Sequence, residues 1–203
     1  MIIVTHAQSQ HHVDKKVGGW YDTGLTELGK NQADLISGEV KRLYAQLSPR
    51  IYSSDLKRAY ETALPLSEEF NSPIHKVHNL REMSYGDAEG KDQAWLDERF
   101  VPPPAEGDRM NHQVCKNAES RLQFVERIYG AMDQIYSESE DDCILVSHGF
   151  AHTFIISWWI GLPIEKTSYV HFASSSGGIT ILEEDDFFHN RNVAKMNLVD
   201  HLS

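Results

Sequence analysis

The chain has 203 residues, 40% of them hydrophobic and 24% charged, with a formal net charge of −11. That length suits one domain with a substantial buried core, and the acidic balance excludes a nonspecific nucleic-acid binder, which needs a basic face. No apolar run approaches the roughly 20 residues of a membrane span, and two cysteines, Cys115 and Cys143, are too few for a disulfide framework. No basic, cleavable apolar leader precedes the first strand-like residues, so a cytoplasmic location is expected. An anionic ligand is repelled at long range by this charge, so any phosphate site must be a local pocket of donors.

Met1-Ile2-Ile3-Val4 is an apolar run that breaks into polar residues after Thr5-His6, the pattern of a buried strand opening into a loop. Thr26 caps a predicted helix that runs until Pro49, with Ala33, Ile36, Val40, Leu43 and Leu47 at helical spacing. Arg50 to Ser53 is a second strand, and Ser54 or Asp55 caps a helix through Phe70, closed by Asn71-Ser72-Pro73. Ile74 to Val77 is a short third strand, Asn79 to Gly90 a loop, and Trp95 to Phe100 a short helix. The stretch from 92 to 117, with Pro102-Pro103-Pro104, is an excursion whose Trp95, Phe100 and Met110 are apolar enough to fold back as a lid. A helix is predicted over Ala118 to Tyr136 and a strand over Cys143 to Ser147, which ends in a second strand-end histidine, His148. A helix from Ala151 to Ile160 and strands at Ser168–Ser174, Gly178–Leu182 and Val193–Leu198 complete the chain. Strands alternating with helices predict a three-layer α/β/α sandwich on a mostly parallel sheet, in a single domain spanning 1–203. In such sheets ligands bind at the carboxyl ends of strands, so His6 and His148 are expected to meet over one edge.

Five segments together resemble the histidine phosphatase superfamily, the phosphoglycerate-mutase-like fold, over nearly the whole chain. They are Thr5-His6-Ala7-Gln8-Ser9, Gly19-Trp20-Tyr21-Asp22 through Gly29, Ser53 to Ala63, Leu80-Arg81-Glu82 through Gly90, and Val146-Ser147-His148-Gly149. The resemblance implies that His6 attacks phosphorus and carries a transient phosphohistidine, since a neutral imidazole is a competent nucleophile near neutral pH. It implies that Arg58 binds phosphoryl oxygens with its planar fork, that His148 adds a donor, and that Glu82 serves as general acid and then base. It implies a small phosphorylated substrate and no metal or other cofactor, because protein donors stabilise the transferring group. Neither a nucleic acid nor a membrane is an expected partner, and assembly into a homo-oligomer is left open.

This chain departs from the family at Thr5, where the family has arginine. Losing one charge-assisted phosphate contact costs about 1.5–3 kcal/mol, roughly 10- to 150-fold. His12, six residues after His6 where many relatives carry a phosphate-contacting asparagine, is one candidate replacement, with His11 beside it, and Arg81 is another. The plainer reading of His11 and His12 is a pair of exposed loop residues, and they show no metal-ligand spacing. Of the pair His148 and His152, at i and i+4, the second is expected to be packed. Glu89 is expected to anchor its loop. Thr5 also keeps open a second reading, a degenerate relative that binds a phosphorylated ligand or protein partner without turnover. A mutase fits less well, because the mutases it resembles usually have a longer chain with substrate-enclosing insertions.

Overall fold

The computed structural model describes residues 1–138 and 142–203. In chain order the elements are β1 (Ile2–Thr5), α1 (Gln10–Val13), α2 (Glu27–Leu43), β2 (Arg50–Ser53), α3 (Lys57–Phe70), β3 (Ile74–Lys76), α4 (Gln93–Asp97), α5 (Arg121–Glu138), β4 (Cys143–Ser147), α6 (Gly149–Trp159), β5 (Ile179–Glu184) and β6 (Arg191–Leu198). The strands form one sheet in the order β3-β2-β4-β1-β5-β6. The four strands from β3 to β1 are parallel, whereas β5 pairs antiparallel with β1 and β6 antiparallel with β5, so the sheet is mixed.

The central strands are apolar throughout because both faces of the sheet are covered. Ile2, Val4, Ile51, Ile144 and Val146 point to one side, where they pack on Ile36 and Val40 of α2 and on Ala59, Ala63 and Leu66 of α3. Ile3, Tyr52, Cys143 and Leu145 point to the other, against Phe124, Ile128 and Met132 of α5 and Phe154 and Ile155 of α6. The period of two in the strands thus builds the three layers directly.

Several boundaries differ from expectation, each for a local reason. Thr26 caps α2 as predicted, its side chain accepting from Gly29 N at 3.0 Å. The helix ends at Leu43 rather than near Pro49, and Tyr44 and Leu47 still pack on the core beyond it. Leu56, not Ser54 or Asp55, occupies the N-cap of α3; the Lys57 amide instead donates to Asp22 Oδ1 at 2.7 Å. The helix in the excursion spans Gln93–Asp97, not Trp95 to Phe100. The long helix starts at Arg121, because Ser120 and Gln123 exchange backbone-to-side-chain bonds of 2.8 and 3.2 Å that close its first turn.

The strand expected over Ser168–Ser174 is absent. A helical turn, Ile164–Tyr169, follows Pro163. Side chains serve the backbone in and after this turn: Arg121 donates to the carbonyls of Thr167 and Val170, and Thr153 Oγ1 bonds both the amide and the carbonyl of Phe172. A segment supplied this way has no need of a ladder.

His152 is packed as expected, 1% exposed, with Nε2 2.8 Å from Thr180 Oγ1. Burial lowers its pKa to about 4 from an ordinary 6.5. The unfolded chain takes up this proton near 6.5 and the folded chain only near 4, so stability falls as pH drops through that window. From this residue alone, urea unfolding at pH 5 should show about 2 kcal/mol less stability than at pH 7. A His152→Gln variant should lose that part of the slope.

Candidate active site

The register pairs Thr5 with Ser147 on the adjacent parallel strands β1 and β4, so the next residue of each strand leaves the sheet side by side. His6 and His148 therefore meet, with ring centroids 5.1 Å apart. Both are buried, at 5% and 0% exposure. The His6 amide donates to Ser147 O at 2.9 Å, and Gly177 N donates to the carbonyls of Thr5 and His6, which fixes the strand end from both sides.

The imidazole of His6 is held in one tautomer. Its Nδ1 lies 2.8 Å from Ala7 O, an acceptor only, so Nδ1 carries the proton. Nε2 is then a lone pair, and it accepts from Arg58 Nε at 3.2 Å. Burial first, then the Arg58 charge, holds the His6 pKa well below 6.5, so the ring stays neutral at ordinary pH. Arg58, 1% exposed on the first turn of α3, also donates to Tyr21 O at 3.0 Å and to Gly19 O at 2.7 Å. Each terminal nitrogen keeps a second N–H beyond the carbonyl that it serves. Burial lowers the Arg58 pKa to about 10, and the group remains cationic near neutrality.

His148 bonds Ser54 Oγ through Nε2 at 2.8 Å, while its Nδ1 is enclosed and has no partner. Thr5 Oγ1 is likewise enclosed and unpaired. Buried polar atoms without partners cost about 1–3 kcal/mol each. A phosphoryl oxygen is the kind of group that satisfies two such atoms beside one nucleophile, so the cradle fits an oxyanion.

Glu82 reaches the same cleft from the loop after β3. Its carboxylate accepts from Met83 N at 2.9 Å and from Phe150 N, in the first turn of α6, at 3.0 Å. Desolvation raises its pKa above the usual carboxylate range despite these amides. The loop is pinned at its backbone: Trp20 Nε1 and Arg127 Nη2 both donate to Glu82 O, and Arg127 pairs with Glu119. Glu89 anchors the loop as expected, accepting from Trp20 N, Ser84 Oγ and Tyr85 N.

His12 and Arg81, the residues expected to add a phosphate contact beside Thr5, part company. His12 lines the cleft and stacks on His6, with centroids 5.6 Å apart and an interplanar angle of 16°. His11, which is buried rather than exposed, lies 4.1 Å from the His12 ring and bonds Ser9 Oγ at 2.9 Å. A Cβ at Gly18 would lie only 2.8 Å from His11 Nε2, so only glycine seats that ring. Arg81 is not at the cleft: it makes a two-pronged ion pair with Asp55, at 2.6 and 2.8 Å, and is spent there.

The cleft has a volume of about 570 Å³, and the excursion contributes Gln93, Leu96, Asp97 and Phe100 to its wall. Trp95, Met110 and Pro102–Pro104, expected to close it, do not line it. Met110 packs on the core beside α5 instead, and Trp95 stacks under Arg99. Sequence reasoning missed Ser54, the partner of His148, and Arg127, the clamp on the Glu82 loop. It also missed the role of the carbonyls of Gly19 and Tyr21; the adjacent Gly18-Gly19 pair was the only local sign of close packing there. Among the described residues no group of three metal-ligating side chains is assembled, and no helix is long and apolar enough to cross a membrane.

The chain is similar to known phosphatases over most of its length. A putative phosphoserine phosphatase 2 of Hydrogenobacter thermophilus is 29% identical over 192 residues, covering 89% of this chain and 87% of that protein. A broad-specificity phosphatase of Saccharomyces cerevisiae is 30% identical over 165 residues, covering 78% of this chain and 69% of that one. Among solved structures, a mycobacterial glucosyl-3-phosphoglycerate phosphatase in complex with VO3 superposes with a TM-score of 0.78 at 24% identity, covering 98% of this chain and 99% of that one. The profile of the histidine phosphatase superfamily (branch 1) matches residues 1–196, and the chain belongs to that superfamily.

Proposed function

We propose that this protein hydrolyses a small phosphomonoester through a phosphohistidine on His6, without a metal. The observation that carries the reading is the tautomer of His6, whose Nε2 lone pair faces Arg58. In the first step Nε2 forms a bond to phosphorus, the ester P–O bond breaks, and protonated Glu82 gives its proton to the leaving oxygen. In the second, the Glu82 carboxylate takes a proton from water, the hydroxide attacks phosphorus, and the P–N bond breaks to release phosphate. Arg58, the enclosed Thr5 Oγ1 and His148 Nδ1 bind the oxygens throughout. A cleft of about 570 Å³ suits a metabolite-sized ester. Names among the relatives, phosphoserine and glucosyl-3-phosphoglycerate phosphatases, make phosphorylated metabolites the first esters to try.

Turnover of a chromogenic phosphate ester in the presence of chelator, with an acid-labile phosphoryl group trapped on His6, tests the reading. Vanadate binding without any turnover would favour the binding-only alternative.

The place of the missing arginine is taken by His12 in this proposal. Its Nδ1 faces Ser9 N at 3.5 Å, which leaves the Nε2 proton to the cleft. His12→Ala should weaken orthovanadate binding by about 1.5 kcal/mol, roughly tenfold. Thr5→Arg should also weaken it, because Thr5 is 4% exposed and a longer side chain overpacks the strand end. Tighter binding by Thr5→Arg in calorimetry would mean that the pocket is merely depleted and not rebuilt around histidine.

A further inference from the structure

Outside the cleft, two arginines converge on one stretch of chain without an acid between them. Arg121 donates to the carbonyls of Thr167 and Val170, on either side of Tyr169. The Arg109 guanidinium lies 4.3 Å from the ring of that same Tyr169, which brings it in from the excursion. The protein has 30 acidic residues against 19 lysines and arginines, so the lack of a partner is not a shortage of carboxylates. Yet Arg109 makes no hydrogen bond or ion pair with any described residue, its Nε is enclosed and unpaired, and Arg121 Nη1 makes no hydrogen bond. Aromatic rings back the pair, with Arg121 Cζ 5.2 Å from Phe150 and 5.0 Å from Phe154. Burial and the neighbouring Arg109 charge lower the Arg121 pKa to about 10, a sign that the two cations sense each other.

We propose that Arg109 and Arg121 form a second anion-binding site on the flank of the cleft, for a carboxylate or phosphate group. Two planar forks with unspent N–H groups and an aromatic floor match an oxyanion, which would satisfy the Arg109 Nε and relieve the repulsion between the cations. The site lies one ring away from the catalytic groups, because Phe150 also supplies the amide that bonds Glu82. The oxyanion comes either from the far end of a substrate or from a separate small ion. The existence of the site does not depend on the phosphatase reading.

The test uses the whole protein, with orthovanadate present to fill the cleft and inorganic phosphate as the probe. The Arg109 Nε–H resonance reads the site directly, whether or not vanadate is bound. The expected result is a saturable shift of that resonance with phosphate. In Arg109→Gln, calorimetry should find phosphate binding at this site roughly tenfold weaker and vanadate binding unchanged. Arg109 stacks on Tyr169 and makes no hydrogen bond or ion pair with a described residue, so the variant removes no polar contact of the fold. A resonance that does not move, or equal phosphate binding by wild type and Arg109→Gln beside bound vanadate, overturns the proposal. Turnover of two phosphate esters, with and without a distal carboxylate, then identifies the source. A selective loss for the carboxylate-bearing ester in Arg109→Gln places the anion on the substrate, and an equal rate for both places it on a separate ion; both support the site.

Discussion

Replacing His6 with alanine is expected to lower phosphatase turnover by roughly 10⁴-fold or more while the protein stays folded. The side chain ends β1 at the cleft, and its bonds go to Ala7 O and Arg58, so its removal leaves both core clusters untouched. The loss should fall on kcat. Orthovanadate binding should persist in weakened form, since Arg58, Thr5 and His148 remain. Wild-type turnover by a folded His6→Ala protein, or acid-labile phosphate on a residue other than His6, would remove the mechanism. Loss of turnover with loss of the thermal transition would show only that the variant is unfolded, so unfolding is measured alongside.

Glu82→Gln is expected to cost about 10²- to 10⁴-fold, the range of one positioned proton donor. The loss should be small for a nitrophenolate leaving group and large for an alkoxide, because only the alkoxide needs the proton. The pH profile should also change shape. Desolvation raises the Glu82 pKa, so the active protonated acid is lost as pH rises through that value. The His6 pKa lies well below 6.5, so the neutral nucleophile is lost only as pH falls through its own depressed value. The wild-type profile should therefore be a bell bounded by these two groups, and Glu82→Gln should lose the alkaline limb. Equal slowing across a leaving-group series would exclude Glu82 as the proton donor.

The parts of this fold that were legible in the sequence are those set by local burial. Ile2 to Val4 and Ile144 to Val146 are covered on both faces and therefore read as unbroken apolar runs. Thr26 announces α2 through a contact only three residues long. His6, Arg58, Glu82 and His148 were legible through motif order, and the chain brings them to one place. What was not legible depends on partners distant in sequence. Arg81 looked available beside Glu82, but Asp55, 26 residues earlier, holds it. The 168–174 segment has strand-like residues, but its backbone is claimed by Arg121 and Thr153, from two different helices. The excursion's part of the cleft wall comes from Gln93, Leu96 and Asp97 of the short helix α4 and from Phe100, whereas Trp95 and Met110, which a lid would also use, do not line it.

Arg58 and Thr5 also differ in what a substitution there would put at risk. Arg58 is threaded between the carbonyls of Gly19 and Tyr21 and the ring of His6, so it ties the 18–22 loop to α3 while it lines the cleft. A lysine has no planar fork to bridge those three acceptors, and exchange there would loosen the loop as well as the chemistry. Thr5, by contrast, has its backbone amide bonded to Gly178 O and its carbonyl to Gly177 N, and its side chain carries no hydrogen bond. A small substitution at Thr5 therefore breaks no bond of the fold, whereas any substitution at Arg58 frees the carbonyls of Gly19 and Tyr21 as well as the His6 ring.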